Sequence, residues 1–218
     1  MSRTELGVAL AGVIIVAGVL SIPIADPISV AAPLAVPRII PSPTPTSTAS
    51  ADANVVGSGC AAYAAQFPTG PGSFAGLAQD SFTVATANNS MLTTFNSAIS
   101  GAFNPKVNLV SALGSAQFTV FAPVDSAFAK LPAKTLSSLK LGSNATTLTG
   151  ILDYHVVPGE LQPANIDGTL NSLEGGPLTV TGSGDNITVN GASVICGGIQ
   201  TANATLYLID TVLTPPAK

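Results

Sequence analysis

Reactive side chains are scarce in this chain of 218 residues: one histidine, His155, two cysteines, Cys60 and Cys196, and a thin scatter of carboxylates. Any histidine-dependent catalysis must use His155. Leu148, Ile151, Leu152 and His155 stand at i, i+3, i+4 and i+7, so a helix through them turns the imidazole to the same side as the leucines. That spacing fits a buried, hydrogen-bonded histidine better than a general base, which must reach its substrate. Serines are plentiful, so a Ser-His-Asp set is easy to assemble on paper, but no Gly-x-Ser-x-Gly elbow accompanies them. Asp125 fits a helix cap, Asp153 falls off the apolar face of the histidine helix and reads as solvated, and no acidic loop has calcium-binding spacing. The four Asn-x-Ser/Thr sequons, at Asn88, Asn144, Asn186 and Asn203, read as chance in a chain this rich in Asn and Thr.

The cysteines are read through the start of the chain. Leu6 to Ala25 carries no charge and follows Arg3, the pattern of an export signal or membrane anchor. Its length approaches the roughly 20 residues that span a bilayer, so both cleavage and retention are open. In an exported chain Cys60 and Cys196 are expected to form a disulfide that pins the N-terminal edge of the domain to a strand. Closing so long a loop is worth about 4–5 kcal/mol in the loop-entropy picture. The alternative is a redox or metal pair, but two thiols and one imidazole are few ligands and no Cys-x-x-Cys exists. No cofactor is expected.

The elements that must position these residues follow from periodicity. Leu92, Phe95 and Ile99 mark an amphipathic helix stopped by Gly101. Val107 to Leu113 forms a helical turn ending at Gly114. Gln117 to Phe121 is aromatic and β-branched, suits a buried strand, and stops at Ala122-Pro123. Asp125 then caps a short helix with Phe128 and Leu131 on one face, ended by Pro132. Thr135 to Leu139 is another short helix, and Ser143 or Asn144 caps one that runs to about His155. The period then becomes two: Leu178–Thr181 and Ile187–Val189 flank a Gly-rich turn, and Asn190-Gly191 signals a hairpin into Ser193–Cys196. Leu206 to Leu213 is the final strand. Helices first, strands last and one early strand describe an α+β domain.

Three segments resemble the fasciclin family. Thr119 to Leu131 matches its first motif, T-V-F-A-P-(T/V)-(N/D)-x-A-F-x-x-L; Ile151 to Gly159 is similar to its Tyr-His segment; Thr205 to Pro215 is similar to its closing motif. The resemblance covers about residues 73 to 216. Cys60-Ala-Ala-Tyr63 and Val194 to Gly198 look closest to the secreted and surface-anchored fasciclin antigens of mycobacteria. The resemblance implies a β-wedge of antiparallel-rich strands with helices packed on one side. It also implies a part in adhesion for Tyr154 and His155, direct or by shaping the surface, as in animal relatives. No second copy of the motifs occurs. Cys60 is preceded by Gly57-Ser58-Gly59 and not by a lipobox, a departure from the lipoprotein members of the family.

Composition narrows the function. The chain is 46% hydrophobic and only 8% charged, with a net charge of −4. No cluster of Lys and Arg reads phosphates, so no nucleic-acid partner is expected. Pro37 to Ala51 is a Pro/Ser/Thr spacer that tends to polyproline II, either an O-glycosylated stalk at Thr44, Thr46, Ser47 and Thr48 or an unmodified linker. The expected organisation is an export or anchor segment at 1–31, a linker at 32–56 and a single fasciclin-like domain at 57–218. The expected function is extracytoplasmic, secreted or cell-surface, non-catalytic contact with an extracellular protein or glycan, such as a host-cell surface. Membrane contact is expected only through the N-terminal segment. The alternatives are a structural or small-molecule-binding envelope component, or an envelope enzyme.

Overall fold

The computed structural model describes residues 54–216. The export segment at 1–31, most of the linker at 32–56, and Thr44, Thr46, Ser47 and Thr48 lie outside them. Strands β1 (Phe118–Pro123), β2 (Val156–Pro158), β3 (Gly168–Asn171), β4 (Pro177–Thr181), β5 (Thr188–Val189), β6 (Ala192–Gln200) and β7 (Ala204–Ile209) form one sheet in the order β2-β1-β7-β6-β5-β4-β3. All neighbours are antiparallel except β1 and β7, which run parallel from Phe118↔Ala204 to Pro123↔Ile209. The helices are α1 (Cys60–Gln66), α2 (Phe74–Leu77), α3 (Phe82–Asn88), α4 (Thr93–Ser100), α5 (Val110–Gly114), α6 (Asp125–Ala129), α7 (Ala133–Leu139) and α8 (Ala145–Tyr154). The architecture is α+β, as expected.

β1 and β7 are buried at every position, which explains their nearly continuous apolar sequence. Alternate residues serve two different cores. Val120, Ala122, Leu206 and Leu208 pack with Leu92, Phe95 and Ile99 of the helical layer. Phe121, Tyr207 and Ile209 face the other way, against Leu178, Val180 and Val189 of the hairpin strands. The strands therefore separate a helical core from a smaller one within the wedge of the sheet.

Two strands escape the periodicity. β2 is only three residues long, and β3 is mostly exposed, so neither carries an alternating signal. The final strand ends at Ile209 rather than Leu213: the Asp210 amide still donates to the Ser193 carbonyl (3.1 Å), but the Leu213 amide turns to His155 Nε2 (3.0 Å). A second correction concerns Asp125. It is the first residue of α6 and does not cap that helix; its carboxylate accepts from the Thr94 amide (2.8 Å) and the Thr93 hydroxyl (2.6 Å), satisfying the start of α4. The acid 31 residues downstream supplies what a local cap would have.

β6 shifts register on both sides of Cys196. These bulges free main-chain groups that the N-terminal segment takes up: Val56 and Gly197 exchange hydrogen bonds (2.9 and 2.7 Å) and the Gly59 amide donates to Ile195 (2.8 Å). The Cys60–Cys196 disulfide closes the same junction. At Gly197 a Cβ would run into the Tyr207 ring, so the bulge needs glycine.

Two outcomes are expected in urea unfolding followed by hydrogen exchange. Asp125→Ala lowers stability by about 1–2 kcal/mol, with Thr93 and Thr94 losing most protection. Reduction of the disulfide costs roughly 2–4 kcal/mol and deprotects residues 56–66 before the strands.

Candidate functional site

His155 follows α8 directly, and its imidazole is 1% exposed. Its Nε2 accepts the Leu213 amide hydrogen (3.0 Å), so the ring proton resides on Nδ1, which donates to the Ile151 carbonyl (2.7 Å). The Ile151 carbonyl belongs to the last turn of α8, where main-chain acceptors lack helical partners, so the imidazole completes the helix. Its own carbonyl accepts from Phe121 N–H of β1 (2.9 Å). Burial in an apolar surround, opposed by the Ile151 hydrogen bond, pushes the imidazole down to about 4. Protonation would also set a new N–H against that of Leu213. The ring is neutral at physiological pH, with neither nitrogen available to a substrate.

Tyr154, one residue earlier, points into the other core. Its hydroxyl donates to the Pro177 carbonyl (2.8 Å) and accepts from Asn190 Nδ2 (2.8 Å). Asn190 sits at φ +47 and Gly191 at φ +83, the left-handed pair that a two-residue hairpin turn requires. The side-chain Oδ1 of Asn190 accepts from the Thr179 amide (2.8 Å). Sequence reasoning finds the turn but misses this second duty; the preference for Asn over a second Gly is the signal that was present. Tyr154 and His155 thus form a two-sided peg, one ring in each core.

The remaining motif residues fasten the same framework. Thr119, wholly buried, donates to Gly159 O (2.7 Å) and accepts from Leu161 N (2.8 Å), fixing the loop after β2. Lys130 pairs with Asp210 at 3.0 Å across a largely exposed surface. Partial burial works against the charge of Asp210, but hydrogen bonds from Lys130, the Ser193 amide and Thr211 outweigh it and hold the carboxyl below its usual range. Such an exposed pair contributes at most about 1 kcal/mol. Asp153 is half-buried rather than solvated: desolvation, then the charge of Glu174, raises its carboxyl. Asn203 is committed to structure, accepting from Phe82 N (2.8 Å) and donating to Leu113 and Ala116 carbonyls (2.9 and 3.0 Å). Among the described residues no group of three His, Cys, Asp or Glu side chains could hold a metal ion.

The three sequence segments therefore meet in space, joined by Phe121–His155, Thr119–Gly159, His155–Leu213 and Lys130–Asp210. The profile of the fasciclin domain matches residues 66–215. The chain belongs to the fasciclin family. It is 55% identical over 166 residues to the cell surface glycolipoprotein MPB83 of Mycobacterium bovis, covering 76% of this chain and 74% of that one. It is 54% identical over 168 residues to the immunogenic protein MPT70 of Mycobacterium tuberculosis, covering 77% and 86%. Among solved structures it is similar to a domain pair from the insect cell adhesion molecule fasciclin I, with a TM-score of 0.53 at 15% identity. The match covers 66% of this chain and about half, 52%, of that one, and it concerns the fold alone. In this fasciclin domain the sequence motifs are interior fastenings, and Tyr154 and His155, expected to bear on a partner directly or by shaping the surface, are both buried.

The His155 environment generates a pH dependence. Its folded value of about 4 lies below the ordinary 6.5, so between those limits the unfolded chain binds the proton and the folded one does not. The contribution is intact above pH 6.5 and is lost progressively down to pH 4, roughly 3 kcal/mol in all. Urea titrations of the parent and of His155→Gln should show this slope in the parent and its loss in the variant. An imidazole NMR signal titrating near 6.5 in the folded protein would contradict the assignment.

Proposed function

We propose that this fasciclin domain is an extracytoplasmic, secreted or cell-surface module that acts by non-catalytic contact with an extracellular protein or glycan. The observation that carries this reading is the burial of the one imidazole with both nitrogens bonded, which leaves the Tyr-His segment a shaping role. The names of its mycobacterial relatives, a cell surface glycolipoprotein and an immunogenic protein, support the location. In this reading residues 1–31 deliver the chain through the membrane, whether cleaved or retained as an anchor. The Pro/Ser/Thr tract holds the domain off the envelope, with Thr44, Thr46, Ser47 and Thr48 as the positions for sugar.

Contact runs through the surface that the buried motifs shape. The exposed Pro158 and Gly159 and the half-buried Glu160 lead out of β2 and are held from beneath by Thr119. Gly159 adopts φ +86 there and donates to Gln117 O (2.9 Å), which further fixes the loop. A rigid, mostly uncharged loop presents hydrogen-bonding groups at low ordering cost.

Binding of the purified, disulfide-intact chain to host cells, matrix proteins and the producer's own envelope tests the reading. Saturable binding that disappears in a reduced, unfolded sample is expected. Glu160→Lys should weaken it about fivefold, near 1 kcal/mol, without changing the melting temperature. Turnover of a substrate, abolished by His155→Ala in a folded protein, would overturn the non-catalytic reading.

A further inference from the structure

Asn190-Gly191 is the one Asn-Gly pair in the chain, and it stands at an exposed hairpin turn. Such a pair carries its own chemistry. With no Cβ on the second residue to hinder approach, the Gly191 main-chain nitrogen can attack the side-chain carbonyl carbon of Asn190. The nitrogen gives up its proton to hydroxide, the new N–Cγ bond closes a succinimide ring, the Cγ–Nδ2 bond breaks, and Nδ2 takes up a proton and leaves as ammonia. Water then adds to either ring carbonyl and opens it to aspartate, or to isoaspartate, in which the main chain runs through the side-chain carbons. No oxidant and no metal takes part.

Water and hydroxide reach the turn, which borders an open surface depression of about 270 Å³ shared with Thr211 and Thr214. The fold opposes ring closure from the inner side. For Cγ to swing toward the Gly191 nitrogen, two side-chain bonds must break: that of Oδ1 with the Thr179 amide and that of Nδ2 with the Tyr154 hydroxyl, each 2.8 Å. The Tyr154 side of this clamp cannot follow the amide outward, because the ring is 2% exposed and its hydroxyl donates to the Pro177 carbonyl (2.8 Å). The main-chain amide of Asn190 is held as well, donating to the Thr179 carbonyl (2.9 Å).

We propose that Asn190 is a site of spontaneous deamidation gated by the Tyr154 hydroxyl. While that bond holds, the amide persists; when Tyr154 lets go, Asn190 converts, and refolding does not reverse the change. The products show why the step runs one way. A carboxylate at position 190 accepts and does not donate, and the Tyr154 hydroxyl has a single proton, already given to the Pro177 carbonyl. Facing the new acid, Tyr154 must leave either that acid or the Pro177 carbonyl without its hydrogen bond. Isoaspartate adds a main-chain carbon to a two-residue turn that closes Val189 onto Ala192, which the hairpin geometry does not accommodate. Either product loosens the hairpin from the end of α8. This role of Tyr154 is independent of the surface contact proposed above.

The test incubates the full chain at mildly alkaline pH and follows conversion at Asn190 by peptide mapping and mass spectrometry, with isoaspartate scored separately. Three chains are compared: the parent, Tyr154→Phe, and Ile99→Val, which loosens the helical core without touching the turn. Tyr154→Phe should deamidate about fivefold faster than the parent, the effect of one hydrogen bond on a rate. Ile99→Val should keep the parent rate, and all three should convert alike once unfolded in concentrated urea. In the parent, the rate should stay flat in urea below the unfolding transition, because releasing one side chain exposes little surface. That arm decides the matter even where Tyr154→Phe fails to fold. A folded Tyr154→Phe with the parent rate, equal acceleration by Ile99→Val, a parent rate that climbs with urea, or no conversion at Asn190 in any folded sample would overturn the proposal.

Discussion

One imidazole carries the constraint on which this fold depends. In the dry interior a main-chain carbonyl or amide without a partner costs roughly 1–3 kcal/mol, and His155 removes two such debts at once. It gives a proton to the Ile151 carbonyl at the end of α8 and takes one from the Leu213 amide after β7. The bond from Phe121 N–H to its main-chain carbonyl adds the central strand. Three elements distant in sequence are thereby set relative to each other. The arrangement works only with a neutral ring carrying its proton on Nδ1, and apolar burial enforces that state.

The sheet distributes that constraint to both cores. β1 and β7 are parallel and buried on both faces, so a displacement of either would disturb the helical layer and the wedge together. Tyr154 and His155 put one ring into each core from adjacent positions, tying the two packings to the end of α8. At the far side, the bulged stretch of β6 receives the N-terminal segment through hydrogen bonds and the disulfide. The chain just before Cys60 is therefore fixed to a central part of the sheet.

This placement alters how the family motifs relate to function. A Tyr-His pair buried on opposite sides of a strand layer shapes the surface only through the loop and strand positions it fixes. Thr119 does the same from β1, spending both hydrogen bonds of its hydroxyl on the Gly159–Leu161 loop. Substitutions at these sites would alter surface contacts by way of the fold, so a loss of binding there does not by itself identify a contact residue.

The sequence by itself determined the α+β class, the central strand ending at Pro123, the helix stopped by Gly101 at φ +87, and the Asn190-Gly191 hairpin. Each rests on local chemistry: periodicity, the missing N–H of proline, or tolerance of positive φ. The inward face of His155 was legible for the same reason, since Leu148 and Leu152 mark its helix side. Only the tertiary structure decided the partners. Asp125 looked like the cap of its own helix, yet it serves α4, and nothing local encodes which orphan amides a carboxylate will meet. The alternation that buries Val120 on one side buries Phe121 on the other, but two buried faces read as one apolar run until both cores are in place. β2 and β3 are strands because a neighbouring edge was free to pair with them, a property of the assembled sheet and not of their residues.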